Sequence, residues 1–237
     1  MGLTICWEFE SRSDDPGEKL KRLREAAVEA GMENVSEVCW RIGPQCLDID
    51  LGVPFEYDQI AIEGVSMHWS LAQDNYRPVV PELIAGFTAV PGPGCSPASF
   101  LLCRYPYYPL WRHRGFCKTQ YAANPSYGGV DNFVNCHLKV TKVLDKAAEI
   151  GILKSVADEG GYWETRDVEE LKRALREWDL YIAAIVGGLA SDAREIGLEA
   201  KARITERPDF ERLEAQGCDW LRRRLQCENP DTPWPAE

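Results

Sequence analysis

Two adjacent carboxylates, Asp158 and Glu159, lie at the end of a predicted strand and are followed by a glycine pair. Paired carboxylates serve general acid–base catalysis and the binding of hard cations. Glycine tolerates positive φ, so the turn can redirect one carboxylate toward the other. The simpler interpretation is a solvated turn, because charged turn residues usually face water. With Tyr162 just after the turn and Lys118 on an earlier predicted strand, these residues are the first candidate catalytic group.

A cysteine and a histidine form the second candidate. His137 falls on the apolar stripe of a predicted helix, and Cys117 lies on the strand before that helix. If the two side chains meet, an imidazolium would favour the thiolate and create a nucleophile. The alternative is a core histidine whose ring is hydrogen-bonded within the fold.

A zinc site can be assembled on paper from residues on separate strands and helices. Its members would be His68, His113, His137 and Cys117, with Cys95 or Cys103. Nothing in their spacing requires a metal, so the sequence identifies none.

Lys118 and Gln120 share one face of a predicted strand, because side chains two apart in a strand point the same way. Together with Arg104, Lys118 can bind an anionic group of a ligand. Salt bridges to the many acidic residues of the chain are an equally good interpretation.

The strands over 115–122 and 152–158 flank one predicted helix. A β-α-β unit sets its strands parallel, adjacent or one strand apart, so their C-terminal ends meet at one edge of the sheet. We expect the candidate binding residues to lie at this edge beside the carboxylates: Gln120, Tyr121, Asn124, Trp163 and Glu164.

Periodicity and capping residues indicate the elements that position these residues. Apolar residues at three-to-four spacing predict one helix over 130–149 and a longer one that begins at Thr165. A short strand is predicted near 200–205, and a last helix follows it. With its strands, the segment 115–205 has the element order of a ferredoxin-like unit.

The first half of the chain is richer in strands. Residues 3–10 and 35–42 predict strands on either side of a helix that begins at Pro16, which suggests a second ferredoxin-like unit. Further strands are predicted over 45–52, 60–71, 82–90 and 99–106. We therefore predict an α+β protein with two ferredoxin-like halves, residues 1–110 and 111–237, each an antiparallel sheet with helices on one face.

The composition limits the classes of function. The chain has 237 residues and a formal net charge of −11, which disfavours sequence-independent binding to nucleic acid or to an anionic membrane surface. It has no apolar run of the roughly 18–20 residues that a bilayer span needs and no signal-peptide pattern, so we predict a cytoplasmic protein. Its nine cysteines lack metal-binding spacing, and we expect free thiols and no disulfide that the fold requires.

Five segments of the chain are distinctive: MGLTI, CRYP, FCKTQYA, GGVDNF with its NCHL continuation, and DEGGYWETRD. They resemble segments of a family of uncharacterised bacterial proteins, chiefly from planctomycete-like bacteria. The resemblance covers most of the chain, and segments of this length are specific. It implies no activity, because none is assigned to that family.

The sequence contains no P-loop, dinucleotide-binding, nucleophile-elbow or zincin motif. Without a complete catalytic constellation, it favours a ligand-binding or protein-interaction module, such as an accessory subunit. The alternative is an enzyme with an acid–base or metal-assisted site around Asp158 and Glu159, or with a Cys117–His137 pair. Neither a cofactor nor an oligomeric state is indicated.

Overall fold

The computed structural model describes residues 3–12, 15–42, 66–70, 75–106, 108–195 and 202–228. Eight strands lie within these ranges: β1 (Thr4–Ser11), β2 (Cys39–Ile42), β3 (Ser66–Ser70), β4 (Asn75–Val79), β5 (Leu83–Ala89), β6 (Ala98–Arg104), β7 (Trp111–Lys118) and β8 (Leu153–Asp158). The same ranges contain five α-helices: α1 (Gly17–Glu29), α2 (Gly129–Glu149), α3 (Tyr162–Thr165), α4 (Val168–Glu195) and α5 (Phe210–Glu228). Three 3₁₀ turns lie at Gln120–Ala123, Pro125–Tyr127 and Arg203–Glu206.

Six of the strands form one antiparallel sheet in the order β2-β5-β6-β7-β1-β8, and β3 and β4 form a separate hairpin. β1 pairs antiparallel with both β7 and β8. β7 and β8 are therefore parallel to each other, with β1 between them. This confirms the sequence prediction that the strands flanking α2 run parallel with their C-terminal ends at one edge.

The α+β class is confirmed, but the two ferredoxin-like halves are not. β1, from the first part of the chain, lies between two strands from the second part. A boundary at residue 110 would pass between β6 and β7, which are hydrogen-bonded neighbours. The strand predicted at 200–205 is replaced by a 3₁₀ turn at Arg203–Glu206. The order of elements along the chain does not specify which strands pair, and here a distant strand completes the sheet.

Some of the strands predicted after residue 42 correspond to strands of the structure, and others lie partly or wholly outside the described ranges. Those over 82–90 and 99–106 correspond to β5 and β6. The one over 60–71 overlaps β3, although its first residues and its last lie outside the described ranges. The strand predicted over 45–52 lies wholly outside them.

α1 and α2 pack on one face of this sheet. Alternate residues of β1 (Ile5, Trp7 and Phe9) are buried in one cluster with residues of α1 and α2. Phe100 of β6 stacks on Trp7 with 5.2 Å between ring centroids. Burial of these side chains is the main stabilising contribution to this layer.

The opposite face of β1, β7 and β8 carries charge. Glu8 lies 2.9 Å from Arg112 and 3.0 Å from Lys154, and Arg114 is 3.6 Å away. An antiparallel sheet can leave one face in water, which explains the alternation of apolar and charged residues along β1.

α4 does not share the sheet face with α2, contrary to the sequence prediction. Its buried residues Leu171 and Leu175 belong to a second cluster with Leu3, Ala122 and Phe133. This cluster lies where β7 ends and α2 begins, so α4 covers the end of the sheet layer. α5 packs along α4, and together with the Arg203–Glu206 turn the two helices enclose a separate apolar cluster.

Gly115 makes room for the Trp7 ring in the core. A Cβ atom at this position would lie 2.5 Å from two atoms of the Trp7 ring. We expect Gly115→Ala to lower the free energy of unfolding by about 1–3 kcal/mol, because the ring would have to move within a close-packed layer. Denaturant unfolding measures this loss. Gly188→Ala on α4 is the matched control: nothing lies within 4 Å of its Cβ, so the same change should stabilise the helix by about 0.5–1 kcal/mol. Equal effects at the two glycines would contradict the packing argument.

Candidate ligand-binding site

Three buried side chains form a hydrogen-bonded row between β7, α2 and β8. The Thr119 hydroxyl lies 3.1 Å from His137 Nδ1, and His137 Nε2 lies 3.0 Å from Asp158 Oδ2. The side chains of His137 and Asp158 are 0% exposed, and Thr119 is also fully buried. The row has the residue types of a hydrolase triad, but a substrate cannot reach its hydroxyl. Its role in this fold is structural.

Asp158 holds the turn that leads into α3. Its Oδ1 accepts a hydrogen bond from the Gly160 amide at 2.8 Å, and its Oδ2 accepts one from the Trp163 amide at 2.9 Å. Burial alone would raise the pKa of Asp158, but the hydrogen bond and charge of His137, with the two amides, lower this pKa below its ordinary value. Asp158 is thus an ionised acceptor inside the protein, and the interpretation as a solvated turn is wrong for this residue.

Glu159 is exposed and has different partners. Its Oε2 accepts a hydrogen bond from the Thr4 amide at 2.8 Å. Its side chain also borders an apolar groove between α4 and α5 that is lined by Trp178, Tyr181 and Trp220. The two adjacent carboxylates therefore do not act as a pair, because the turn buries one of them and leaves the other at the surface.

The predicted pair of Cys117 and His137 is not formed. The Cys117 thiol donates a hydrogen bond to the Ser96 carbonyl at 3.2 Å, and both ring nitrogens of His137 have other partners. The hydrogen-bonded core histidine, which the sequence left as the alternative, describes this residue. Among the described residues, no three His, Cys, Asp or Glu side chains are arranged to hold a metal ion, and the side chain of His68 is not among those described.

Lys118 and Gln120 do not share a strand face, because β7 ends at Lys118. Lys118 continues the outward-facing row of Arg114 and Phe116, whereas Gln120 is buried in the following 3₁₀ turn. Arg104 is exposed and lies 3.9 Å from Glu82. The anion site predicted from Lys118 and Arg104 is therefore not supported by any shared contact of these two side chains.

The aromatic residues after Asp158 serve the fold. The Tyr162 ring meets the His137 ring edge-on at 6.2 Å between centroids. Trp163 packs against the main core, and the guanidinium of Arg166 lies 4.4 Å from its ring centroid. Glu164 is exposed.

The C-terminal ends of β7 and β8 lie at one edge of the sheet, as predicted, and the start of β1 lies between them. The Leu3 amide donates to Gln120 Oε1 at 2.9 Å, and the next amide, Thr4, donates to Glu159. Two consecutive amides at the start of β1 thus bind the segments that follow β7 and β8. Gln120 and Glu159 border different surfaces: Gln120 lines a polar cavity, and Glu159 borders the apolar groove between α4 and α5.

Gln120 begins a buried polar network that joins the sheet to the C-terminal helices. Its Nε2 donates to Asp179 Oδ1 at 2.8 Å, and Arg207 Nη1 donates to Asp179 Oδ2 at 2.7 Å. Arg207 also binds Asp209 through Nε at 3.0 Å. Burial raises the pKa of the Asp179 carboxyl despite the neighbouring Arg207 and the hydrogen bond from Gln120. A buried acid with a perturbed pKa beside a cleft is a typical feature of functional sites.

A cavity of about 390 Å³ lies above this network. The segments that surround it are the turn before β6, the two 3₁₀ turns after β7, α4 and the Arg203–Glu206 turn. Its lining residues are Gly94, Cys95, Gln120, Tyr121, Asn124, Tyr127, Asp179, Arg203, Ile204, Glu206 and Arg207. This volume is within the range of small-molecule sites. Three of the predicted binding residues, Gln120, Tyr121 and Asn124, are therefore brought together here.

Of the two arginines that line this cavity, Arg203 is the one for which the described residues provide no carboxylate partner. Its guanidinium lies 5.5 Å from the centroid of the Tyr121 ring, and its side chain is exposed. Among the described residues it has no ion pair and no hydrogen bond, whereas Arg207 is held by two carboxylates. Within the described part of the chain, the cavity thus has one guanidinium that is held by carboxylates and one that is not.

Sequence reasoning did not identify Asp179, Arg203 or Arg207 as site residues. One signal was present: Asp179 lies on a long helix directly after Trp178, which belongs to the apolar stripe. An acid at the border of an apolar stripe is rarely buried without a partner. The partner, Arg207, follows it by 28 residues, and nothing local to either residue indicates their contact.

Comparison of this chain with protein-family models, with curated proteins and with solved structures gave no match. None of the described helices is both long and apolar enough to cross a bilayer. The site must therefore be interpreted from its own geometry.

Proposed function

We propose that this protein is a binding module for a small ligand that carries an anionic group, either a carboxylate or a phosphate. The observation that supports this most is the Arg203 guanidinium, which has no ion pair among the described residues and lies at the wall of a polar cavity. A guanidinium presents a planar fork of donors that matches both anions. The membership of an uncharacterised bacterial family and a cytoplasmic location remain predictions from the sequence.

The wall and floor of the cavity suit a preorganised site. Tyr121 supports the Arg203 guanidinium from one side. Asn124 Oδ1 is used in capping the Pro125–Tyr127 turn, which leaves its amide group as a donor. Gln120 and Asp179 are held by hydrogen bonds on both sides, so the floor should lose little conformational freedom when a ligand binds.

Acid–base catalysis in the same cavity is the second candidate. It is favoured by Asp179, whose raised pKa suits a carboxyl group that exchanges protons. In this candidate Asp179 takes the place of the catalytic residues predicted from the sequence, because Asp158 and His137 are buried in a structural row. A protein partner that presents a carboxylate to Arg203 would use the same recognition chemistry.

The binding proposal is tested with small anions and their neutral counterparts. Benzoate is compared with benzamide, and glycerol 3-phosphate with glycerol, by isothermal titration calorimetry on the full chain. We expect at least one anion to bind while its neutral counterpart does not, and the two arms distinguish a carboxylate from a phosphate. Arg203→Gln should weaken that binding about 10-fold to 100-fold, since a hydrogen bond to a charged group contributes about 1.5–3 kcal/mol.

Arg222→Gln on α5 is the matched control, because Arg222 is also an exposed arginine but does not line the cavity. It should leave the affinity unchanged. Equal loss in both variants would indicate general electrostatic attraction, and no binding of either anion would contradict the proposal. Consumption of a bound anion by the wild-type protein but not by Asp179→Asn would favour the catalytic candidate.

A further inference from the structure

The charged side chains that line the cavity are two cations and two acids, and only one cation and one acid pair with each other. Arg207 and Asp179 form an ion pair at 2.7 Å, so their charges cancel within the protein. The other two are Arg203 and Glu206. Neither has an ion pair or a side-chain hydrogen bond with any residue that the structure describes, and they do not pair with each other. One positive and one negative group on the cavity wall thus lack a partner in the described part of the chain.

The two charged groups come from one short turn. Arg203 and Glu206 are the first and last residues of a 3₁₀ turn. Side chains three residues apart in a 3₁₀ helix lie one above the other, so both leave the turn on the same side. A rise of about 2 Å per residue places their Cα atoms about 6 Å apart along the axis of the turn. A small molecule that carries both charges can therefore contact both side chains.

The backbone of this turn is fixed by its own contacts. The amide of Thr205 donates to the Ala202 carbonyl at 2.9 Å, and the amide of Arg207 donates to the Ile204 carbonyl at 3.2 Å. The Ile204 side chain is buried in the apolar cluster of α4 and α5. The turn therefore presents its two charged residues at a fixed backbone spacing before a ligand binds, which lowers the entropic cost of binding.

The remaining lining residues are neutral or apolar. Cys95 is a free thiol, like the other cysteines whose side chains the structure describes and as the sequence predicts. Its interaction with Cys136 and its burial both raise its pKa, so it adds no charge to the cavity. Tyr127 is half exposed and also lines the cavity, and its ring offers an apolar surface to the rest of a ligand. The charge of the wall thus favours a ligand with one positive and one negative group.

We infer that the anionic ligand of this cavity is a free α-amino acid, an inference that rests on the proposed function and specifies its ligand class. The α-carboxylate binds the Arg203 guanidinium, and the α-ammonium group binds the Glu206 carboxylate. A single carbon atom joins the two charged groups of an α-amino acid, which suits the short span of the turn. An anion without an ammonium group brings its negative charge near Glu206 without compensation, so it should bind more weakly.

Two series of ligands test this inference by isothermal titration calorimetry on the full chain. L-Phenylalanine is compared with 3-phenylpropanoate, which lacks the ammonium group, and with 2-phenylethylamine, which lacks the carboxylate. L-Leucine is compared in the same way with 4-methylpentanoate and 3-methylbutylamine. We expect at least one of the two amino acids to bind about 10-fold more tightly than either of its analogues, because each analogue loses one charged contact.

Three variants assign the two contacts to their side chains. Glu206→Gln should weaken the binding of the amino acid about 10-fold and leave that of the carboxylate analogue unchanged, whereas Arg203→Gln should weaken both. Glu211→Gln is the matched control, because Glu211 is an exposed acid in the first turn of α5 that does not line the cavity. It should change neither affinity.

The comparison of ligands on the wild-type chain decides the question even if Glu206→Gln does not fold. Equal binding of the amino acid and its carboxylate analogue in both series would overturn the inference, and a loss of both in Arg203→Gln would leave the anion proposal intact. Equal binding of the amino acid and its amine would also overturn it. Absence of binding in both series would overturn it as well, and benzoate and glycerol 3-phosphate would then decide the anion proposal separately.

Discussion

Asp158→Asn is expected to lower the free energy of unfolding by about 3–5 kcal/mol, although asparagine has the same shape as aspartate. In the native protein the carboxylate accepts hydrogen bonds from two backbone amides and faces His137 Nε2. An asparagine must place its NH₂ group against one of these groups, and the site is closed to water. Thermal unfolding should shift downward by on the order of 10 °C for a chain of this length.

Asp145→Asn is the matched control for this substitution. Asp145 forms an ion pair with Arg166 at 2.8 Å, but both side chains are about half exposed. Exposed pairs contribute about 0–1 kcal/mol, so the control should unfold close to the wild-type temperature. If both variants unfold within a few degrees of the wild type, Asp158 is a solvated turn residue and the buried row does not exist.

The difference between wild type and Asp158→Asn should also depend on pH. The native pKa of Asp158 lies below its ordinary value, so in acid the unfolded chain binds this proton first. The stability that the carboxylate contributes is complete above the ordinary pKa of aspartate, near 4, and is lost as the pH falls through the lower native pKa. Urea unfolding from pH 7 downward should therefore show the two proteins converging in stability in acid. A difference that grows in acid would contradict the lowered pKa.

Arg207→Met should cost about 3–4 kcal/mol of stability, because it leaves the Asp179 carboxyl buried without its cation. The side chains of Arg207 and Asp179 are only 10% and 8% exposed, so water cannot replace the lost partner fully. Protonation of Asp179, whose pKa is already raised by burial, should relieve part of this cost in mild acid. Denaturant unfolding at pH 7 and pH 5 measures both effects.

Two further variants test the cause of this loss. Arg212→Met removes an exposed arginine that binds the same Asp209, and it should change stability by less than about 1 kcal/mol. Asp179→Asn added to Arg207→Met removes the unpaired charge and should recover part of the loss, which a double-mutant cycle would measure as coupling. If the second change adds a full further loss, the two residues act independently and the network is not a unit.

Several elements of the fold could be predicted from local patterns. The apolar stripe with Phe133, Val140 and Leu144 predicted α2, and the stripe of α4 was predicted in the same way. These patterns are reliable because each helix must bury one face. The parallel direction of β7 and β8 also followed from the sequence, because a helix of this length connects them.

The candidate site was predicted only in part. Gln120, Tyr121 and Asn124 do line the cavity, because they follow a strand end where a chain must turn. Asp158 and His137 were recognised as chemically capable residues, but their sequence positions do not tell whether water reaches them. Their burial depends on α3 and α4, which close over the end of the sheet.

The sequence by itself determined the α+β class and the long helices. It also determined the sheet edge at which the strands before and after α2, β7 and β8, both end. Only the tertiary structure decided that β1 lies between β7 and β8 and that Arg207 reaches Asp179. Helix periodicity and turn chemistry depend on residues that are a few positions apart, so they can be recognised in the local sequence. Strand pairing and buried ion pairs join residues that are far apart in the chain, so their energies depend on the whole packed arrangement and leave no such record.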